Sequence, residues 1–112
     1  MFEKNLNIGD LLDFYGDLLS ERKRSAIEMY YNEDLSLAEI AQEIGISRQG
    51  VHETIKKSEE ELLFYEEKLG LANRFLMVEK YTDELARLSE KHELPKDIAD
   101  TIKELTHAVR QD

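Results

Sequence analysis

The stretch SRQGVHETIKK, Ser47 to Lys57, carries side chains able to read a nucleic acid. As a helix it would turn Gln49, His52, Glu53 and Lys56 away from Val51 and Ile55, with Arg48 at its start. Glutamine pairs bidentately with adenine and arginine with guanine, and Glu53 could accept from a cytosine amino group, while Lys56 and Lys57 suit phosphates. Ser47 and the unpaired amides of the helix start can hold a phosphate. The triplet Arg22, Lys23 and Arg24 adds contacts to the phosphate backbone if its helix flanks the same groove. Against this stands a plainer reading. Charged residues on an exposed helix face are commonly just solvated, and Glu53 with the Glu59 to Glu61 run repels phosphate, which leaves a motif used for protein contact.

Other chemistry has little to stand on. His52, His92 and His107 are far apart and form no HExxH pattern. There is no Walker loop, nucleophile-elbow serine or dinucleotide fingerprint. Zero cysteines exclude a thiolate metal site and a disulfide scaffold. The expectation is a protein that is not an enzyme, with no catalytic residue, metal or cofactor. The acidic pairs, Glu66 and Glu67 included, read as a solvated face, and the aromatic residues as core.

The net charge of −10 cuts against a plain nucleic-acid binder. Residues 1–58 hold 7 basic and 11 acidic side chains, and residues 59–112 hold 8 and 14, so neither half is basic and any positive surface must be local. No basic-then-apolar leader and no apolar run of membrane-spanning length is present, so a cytoplasmic chain without membrane insertion is expected.

The elements that would position the Ser47 to Lys57 face follow from periodicity. Ser36 and Glu39 make a capping box, and Leu37, Ile40, Ala41 and Ile44 give one apolar face. Gly45 suits the positive φ of a tight turn, Ile46 fills the crevice, Ser47 caps again, and Val51 and Ile55 close the crossing of a helix-turn-helix. Upstream, Asn7 caps a helix carrying Ile8, Leu11, Leu12, Tyr15, Leu18 and Leu19, with Gly16 inside it. Ser20 caps another, with Ala26, Ile27, Tyr30 and Tyr31 as its buried side. Downstream, the absence of Gly and Pro after Gly50 predicts one long helix ending at Leu69 with Gly70 as its stop, and Val51, Ile55, Ser58, Leu62, Tyr65 and Leu69 as its stripe. Phe75, Val78, Tyr81, Leu85 and Leu88 mark a fifth helix, and Ile98, Ile102, Leu105 and Val109 a sixth, with Pro95 in its first turn.

Residues 20–58, and LAEIAQEIGISRQGV above all, resemble region 4 of bacterial sigma factors. The full chain, with its acidic run and C-terminal helix pair, is similar to the YlxM family of small helix-turn-helix proteins encoded beside signal recognition particle genes. That resemblance implies a role around the signal recognition particle, acting on its RNA or its GTPases, and brings no established site residue with it. The fold expected is all-α: a sigma-region-4-like helix-turn-helix bundle over 1–58, then a helical extension over 59–112 with an extended recognition helix and a C-terminal helical pair, packed as one structural unit. The function expected is a nucleic-acid-binding or regulatory accessory protein, with DNA or RNA as partner. The alternative is a protein-protein adaptor.

Phe64 lies opposite the long helix's stripe, with Leu63 beside it. A second apolar site on such a helix predicts a homodimer joined through the C-terminal half, the competing arrangement being closure of that site within one chain.

Overall fold

The computed structural model describes residues 7–111. They are all-helical: α1 Ile8–Tyr15, a 3-10 turn Gly16–Leu18, α2 Glu21–Tyr31, α3 Leu37–Ile44, α4 Arg48–Leu69, α5 Leu71–Lys91 and α6 Lys96–Arg110. They divide into two compact units, one up to Asn73 and one from Arg74 onward.

In the first unit α4 is the central element, packed by α1, α2 and α3. Each of these starts where a side chain can take up orphan amides. Asn7 and Asp10 form a capping box for α1, as Ser36 and Glu39 do for α3, and Ser20 and Ser47 cap α2 and α4. The expected crossing of α3 and α4 is present. Ala26, Ile40, Val51 and Ile55 are buried together, with Ala41, Ile44 and Ile46 packed on them. The turn between the helices is possible because Gly45 ends α3 in the left-handed region, at φ 77°.

A Cβ at Gly45 would meet nothing within 4 Å, so a substitution there is opposed by the backbone alone. Gly45→Ala should therefore cost about 1 kcal/mol and Gly45→Val about 2 kcal/mol, because a β-branched residue is the least tolerant of positive φ. Urea denaturation of both variants checks this. A valine variant as stable as the parent would mean that the turn does not need glycine.

Several buried faces differ from expectation. α1 ends at Tyr15 and the chain tightens into 3-10 geometry through Gly16, which changes the side-chain period and leaves Leu18 55% exposed. Tyr30 and Tyr31 lie at the outer edge of α2's buried side, and both are exposed. On α4, Leu69 is exposed although it falls on the stripe, and Glu66 is buried in its place. Pro95 stands one position earlier than expected, as the N-cap residue of α6. Among the described aromatics only Tyr15 is fully buried.

The second unit holds the rest of α5 and α6. Arg110 in the last turn of α6 bonds Asp83 in the middle of α5 at 2.6 Å, so α6 doubles back along α5. Among the described residues of this unit only Thr82 is buried, and α6 buries none of its side chains fully.

Candidate nucleic-acid interface

The candidate interface would lie on the first three turns of α4. Ser47 is extended and its Oγ accepts from the Gly50 amide at 2.9 Å, which fixes the helix start. The amides of Arg48 and Gln49 come before the first intrahelical bond and point outward. Val51, Ile55 and Ser58 anchor the inner face, all buried. The outer face then follows from the 100° step per residue: Arg48, Gln49, His52, Glu53, Lys56 and Lys57 are all exposed. From Arg48 to Lys57 the helix rises about 14 Å, close to the width of a major groove.

Charge at this end differs from that of its neighbours. α1, α2 and α3 each carry an acidic residue in the first turn, which the helix dipole favours, whereas α4 begins with Arg48 and has none. No ion pair within the protein holds Arg48, Lys56 or Lys57 among the described residues. The triplet on α2 is in a different state. Lys23 bonds Glu61 at 2.9 Å, and Arg24 bonds Asp17 at 3.0 Å and Glu28 at 3.1 Å, while Arg22 is exposed and forms no ion pair among the described residues. Lys23 and Arg24 reach a phosphate only by giving up these carboxylates.

A helix-turn-helix built this way matches a family of proteins along nearly the whole chain. Residues 2–105 match the family model UPF0122, helix-turn-helix proteins described as YlxM / p13 like. The chain belongs to the UPF0122 family. A UPF0122 protein of Listeria innocua is 42% identical over 106 residues, covering 94% of this chain and 96% of the relative. One of Desulforamulus reducens is 48% identical over 83 residues, 74% of this chain and 71% of the relative. A third, of a Thermoanaerobacter species, is 38% identical over 104 residues, covering 90% and 89%.

The far end of this UPF0122 chain's α4 holds polar residues that periodicity alone misplaces. Glu66, 5% exposed, accepts from the Tyr15 hydroxyl at 2.6 Å and from the amides of Ala72 at 3.1 Å and Asn73 at 3.0 Å. The Tyr15 oxygen in turn accepts from the Leu71 amide at 3.1 Å. Burial, and then the bond to Glu66, raise the Tyr15 pKa above its ordinary value. Glu66 therefore serves as the cap that α5 lacks, since α5 follows Gly70 with no capping residue of its own. The sequence clue was that missing cap, four residues after a glutamate.

Two members of the acidic run, Glu59 and Glu61, are likewise engaged, while Glu60 is exposed. Glu61 also accepts from Tyr65 at 2.7 Å, and its pKa is lowered by the bonds from Lys23 and Tyr65. Glu59 accepts from Tyr31. Beside this network a groove of about 650 Å³ is lined by Leu63, Phe64 and Gly70, with Glu60 and Glu67 on its rim. Phe64 is 53% exposed there and Leu63 40%. His52, His92 and His107 are exposed, and no group of metal-binding side chains comes together among the described residues. No helix among them is long and apolar enough to cross a membrane.

Proposed function

We propose that this chain is a cytoplasmic, non-enzymatic regulatory protein that binds nucleic acid through the outer face of α4. We further propose that it acts with the signal recognition particle, on its RNA or its GTPases. The observation that carries the first reading is the free cationic face of α4, where Arg48, Lys56 and Lys57 stand exposed around Gln49 and His52 while other basic side chains of the bundle are neutralised. Ser47 and the two outward amides complete a phosphate seat, with Arg22 as a further backbone contact. The link to the signal recognition particle rests on the full-length YlxM resemblance.

Binding on this face is electrostatic and local. Arg48→Ala, Lys56→Ala and Lys57→Ala should each weaken binding of signal recognition particle RNA or duplex DNA, and each lost phosphate contact should lower the log–log salt slope by about 1. Fluorescence anisotropy from about 50 mM salt upward measures both. Binding that ignores all three substitutions moves the site elsewhere. No binding of RNA or duplex at the lowest salt favours the second reading, a protein adaptor. That reading draws on the acid-rimmed Leu63–Phe64 groove, whose charge suits a basic protein segment.

The chain also acts, in this reading, as a homodimer joined through its C-terminal half, to which Leu63 and Phe64 contribute. Two linked recognition helices would meet successive grooves.

A further inference from the structure

Helix α4 changes character along its length. Its first turns carry cations, whereas from Ser58 to Glu67 it holds five glutamates and no basic residue. Three of the five already have partners. Glu59 accepts from Tyr31, Glu61 from Lys23 and Tyr65, and Glu66 from Tyr15 and the amides of Ala72 and Asn73. The other two, Glu60 and Glu67, are exposed, and neither forms an ion pair among the described residues. These are the two acids on the rim of the Leu63–Phe64 groove. Residues 60, 63, 64 and 67 follow the i, i+3, i+4, i+7 spacing, so all four leave one side of the helix, opposite the buried Val51, Ile55, Ser58 and Leu62. The carboxylates therefore stand about 10 Å apart along α4 with the apolar pair between them.

The groove is held in shape from behind. Tyr65 packs edge-on against the Phe64 ring, 6.1 Å between centroids, and its hydroxyl is tied to Glu61. At the far end Gly70 turns the chain at φ 63° with no side chain to fill the space, and Asn73 lines it, its amide bonded to Glu66. Lys68 stands over the Phe64 ring at 5.6 Å and pairs with neither rim carboxylate. The ring thus already attracts a cation.

A preformed apolar trough with an unpaired carboxylate at each end is complementary to a segment whose apolar side chains lie between two cations. On an amphipathic helix that means Lys or Arg at both ends of an i, i+3, i+4, i+7 stripe, the counterpart of α4's own pattern. A second copy of this chain fits less well. Two α4 helices packed through Leu63 and Phe64 would set Glu60 against the other copy's Glu67 when antiparallel, and each glutamate against its twin when parallel. A homodimer joined elsewhere in the C-terminal half leaves the groove open.

We propose that the Leu63–Phe64 groove receives a basic amphipathic helix of another protein, with Glu60 and Glu67 pairing its two cations. This rests on the adaptor reading above and names the partner's chemistry. It holds whether or not the first turns of α4 also bind nucleic acid, because the two sites use different turns of the helix.

The test uses full-length protein and a fluorescent, alanine-rich helical peptide with Lys-Ala-Ala-Leu-Leu-Ala-Ala-Lys at its centre. Two control peptides carry Glu in place of the lysines or Ala in place of the leucines. By anisotropy the lysine peptide should bind about tenfold or more tightly than either control. Phe64→Ser should weaken it about tenfold. The double variant Glu60→Lys/Glu67→Lys should reverse the preference, so that the glutamate peptide binds better, a swap that loss of folding does not produce. Equal binding of the leucine-free control would mean diffuse attraction to a chain of net charge −10 and would overturn the groove. Peptide binding that ignores Glu60, Phe64 and Glu67 would also overturn the groove while leaving the adaptor reading standing. No binding of the lysine peptide up to about 1 mM would overturn both. Light scattering that shows a dimer split by Phe64→Ser would give the groove to a second copy and overturn the proposal.

Discussion

Val51→Asp is expected to unfold the helix-turn-helix. Val51 has no exposed surface and sits between Ala26, Ile40 and Ile55 where α3 crosses α4. A carboxylate there has no cation within the core cluster, and stranding an unpaired charge costs about 3–5 kcal/mol, to which the lost burial of valine adds about 2 kcal/mol. Against a total of roughly 5–15 kcal/mol for a domain, that consumes most of the stability. Circular dichroism should show the melting temperature falling by about 20 °C or more, while Val51→Ala should cost only about 2 kcal/mol. An aspartate variant that melts within a few degrees of the parent would show that the crossing lies elsewhere.

The second large effect is at Glu66. Removing its carboxylate by Glu66→Ala leaves the Tyr15 hydroxyl and the amides of Ala72 and Asn73 without their acceptor. Hydrogen bonds to a charged group contribute about 1.5–3 kcal/mol each, but water reaches the amides once the side chain is gone, so a loss of about 3 kcal/mol is expected. Tyr15→Phe should cost about 1–2 kcal/mol, since it removes one donor to Glu66 and the acceptor of the Leu71 amide. Combining the two substitutions measures their coupling, expected at about 1 kcal/mol or more. Strict additivity in urea denaturation would contradict a shared network.

The contrast between these two sites shows what the sequence discloses and what it conceals. Ser36, Glu39, Gly45 and Ser47 are legible because each acts on residues three or four positions away, and Val51 because its spacing to Ile55 marks the inward face, all within reach of capping and periodicity rules. The exposed face of α4 is legible for the same reason, once Val51 and Ile55 are known to point inward. Glu66 is not, since its acidic neighbour Glu67 suggests a wetted surface and its main donor lies 51 residues earlier, on α1. Lys23 and Arg24 look like a basic patch until the fold brings Glu61 to one and Asp17 to the other. Leu18 and Leu69 fail for a local reason. Each lies where regular α geometry gives out, at the 3-10 turn and at the Gly70 stop, and a period of 3.6 no longer assigns its face.

The bond between Tyr15 and Glu66 has a bearing on the order in which the chain acquires its structure. A nascent chain emerges from its N-terminus, so α1 exists long before the first turn of α5 is made. That first turn lacks a local cap and takes its stabilisation from Glu66, which is held in turn by a hydroxyl from α1. Starting a helix is the unfavourable step in forming it; the Glu66 cap is close in sequence, but the Tyr15 hydroxyl that holds it arrives only after a closure spanning more than 50 residues. The start of α5 thus gains its full set of bonds only once α1 has docked on α4.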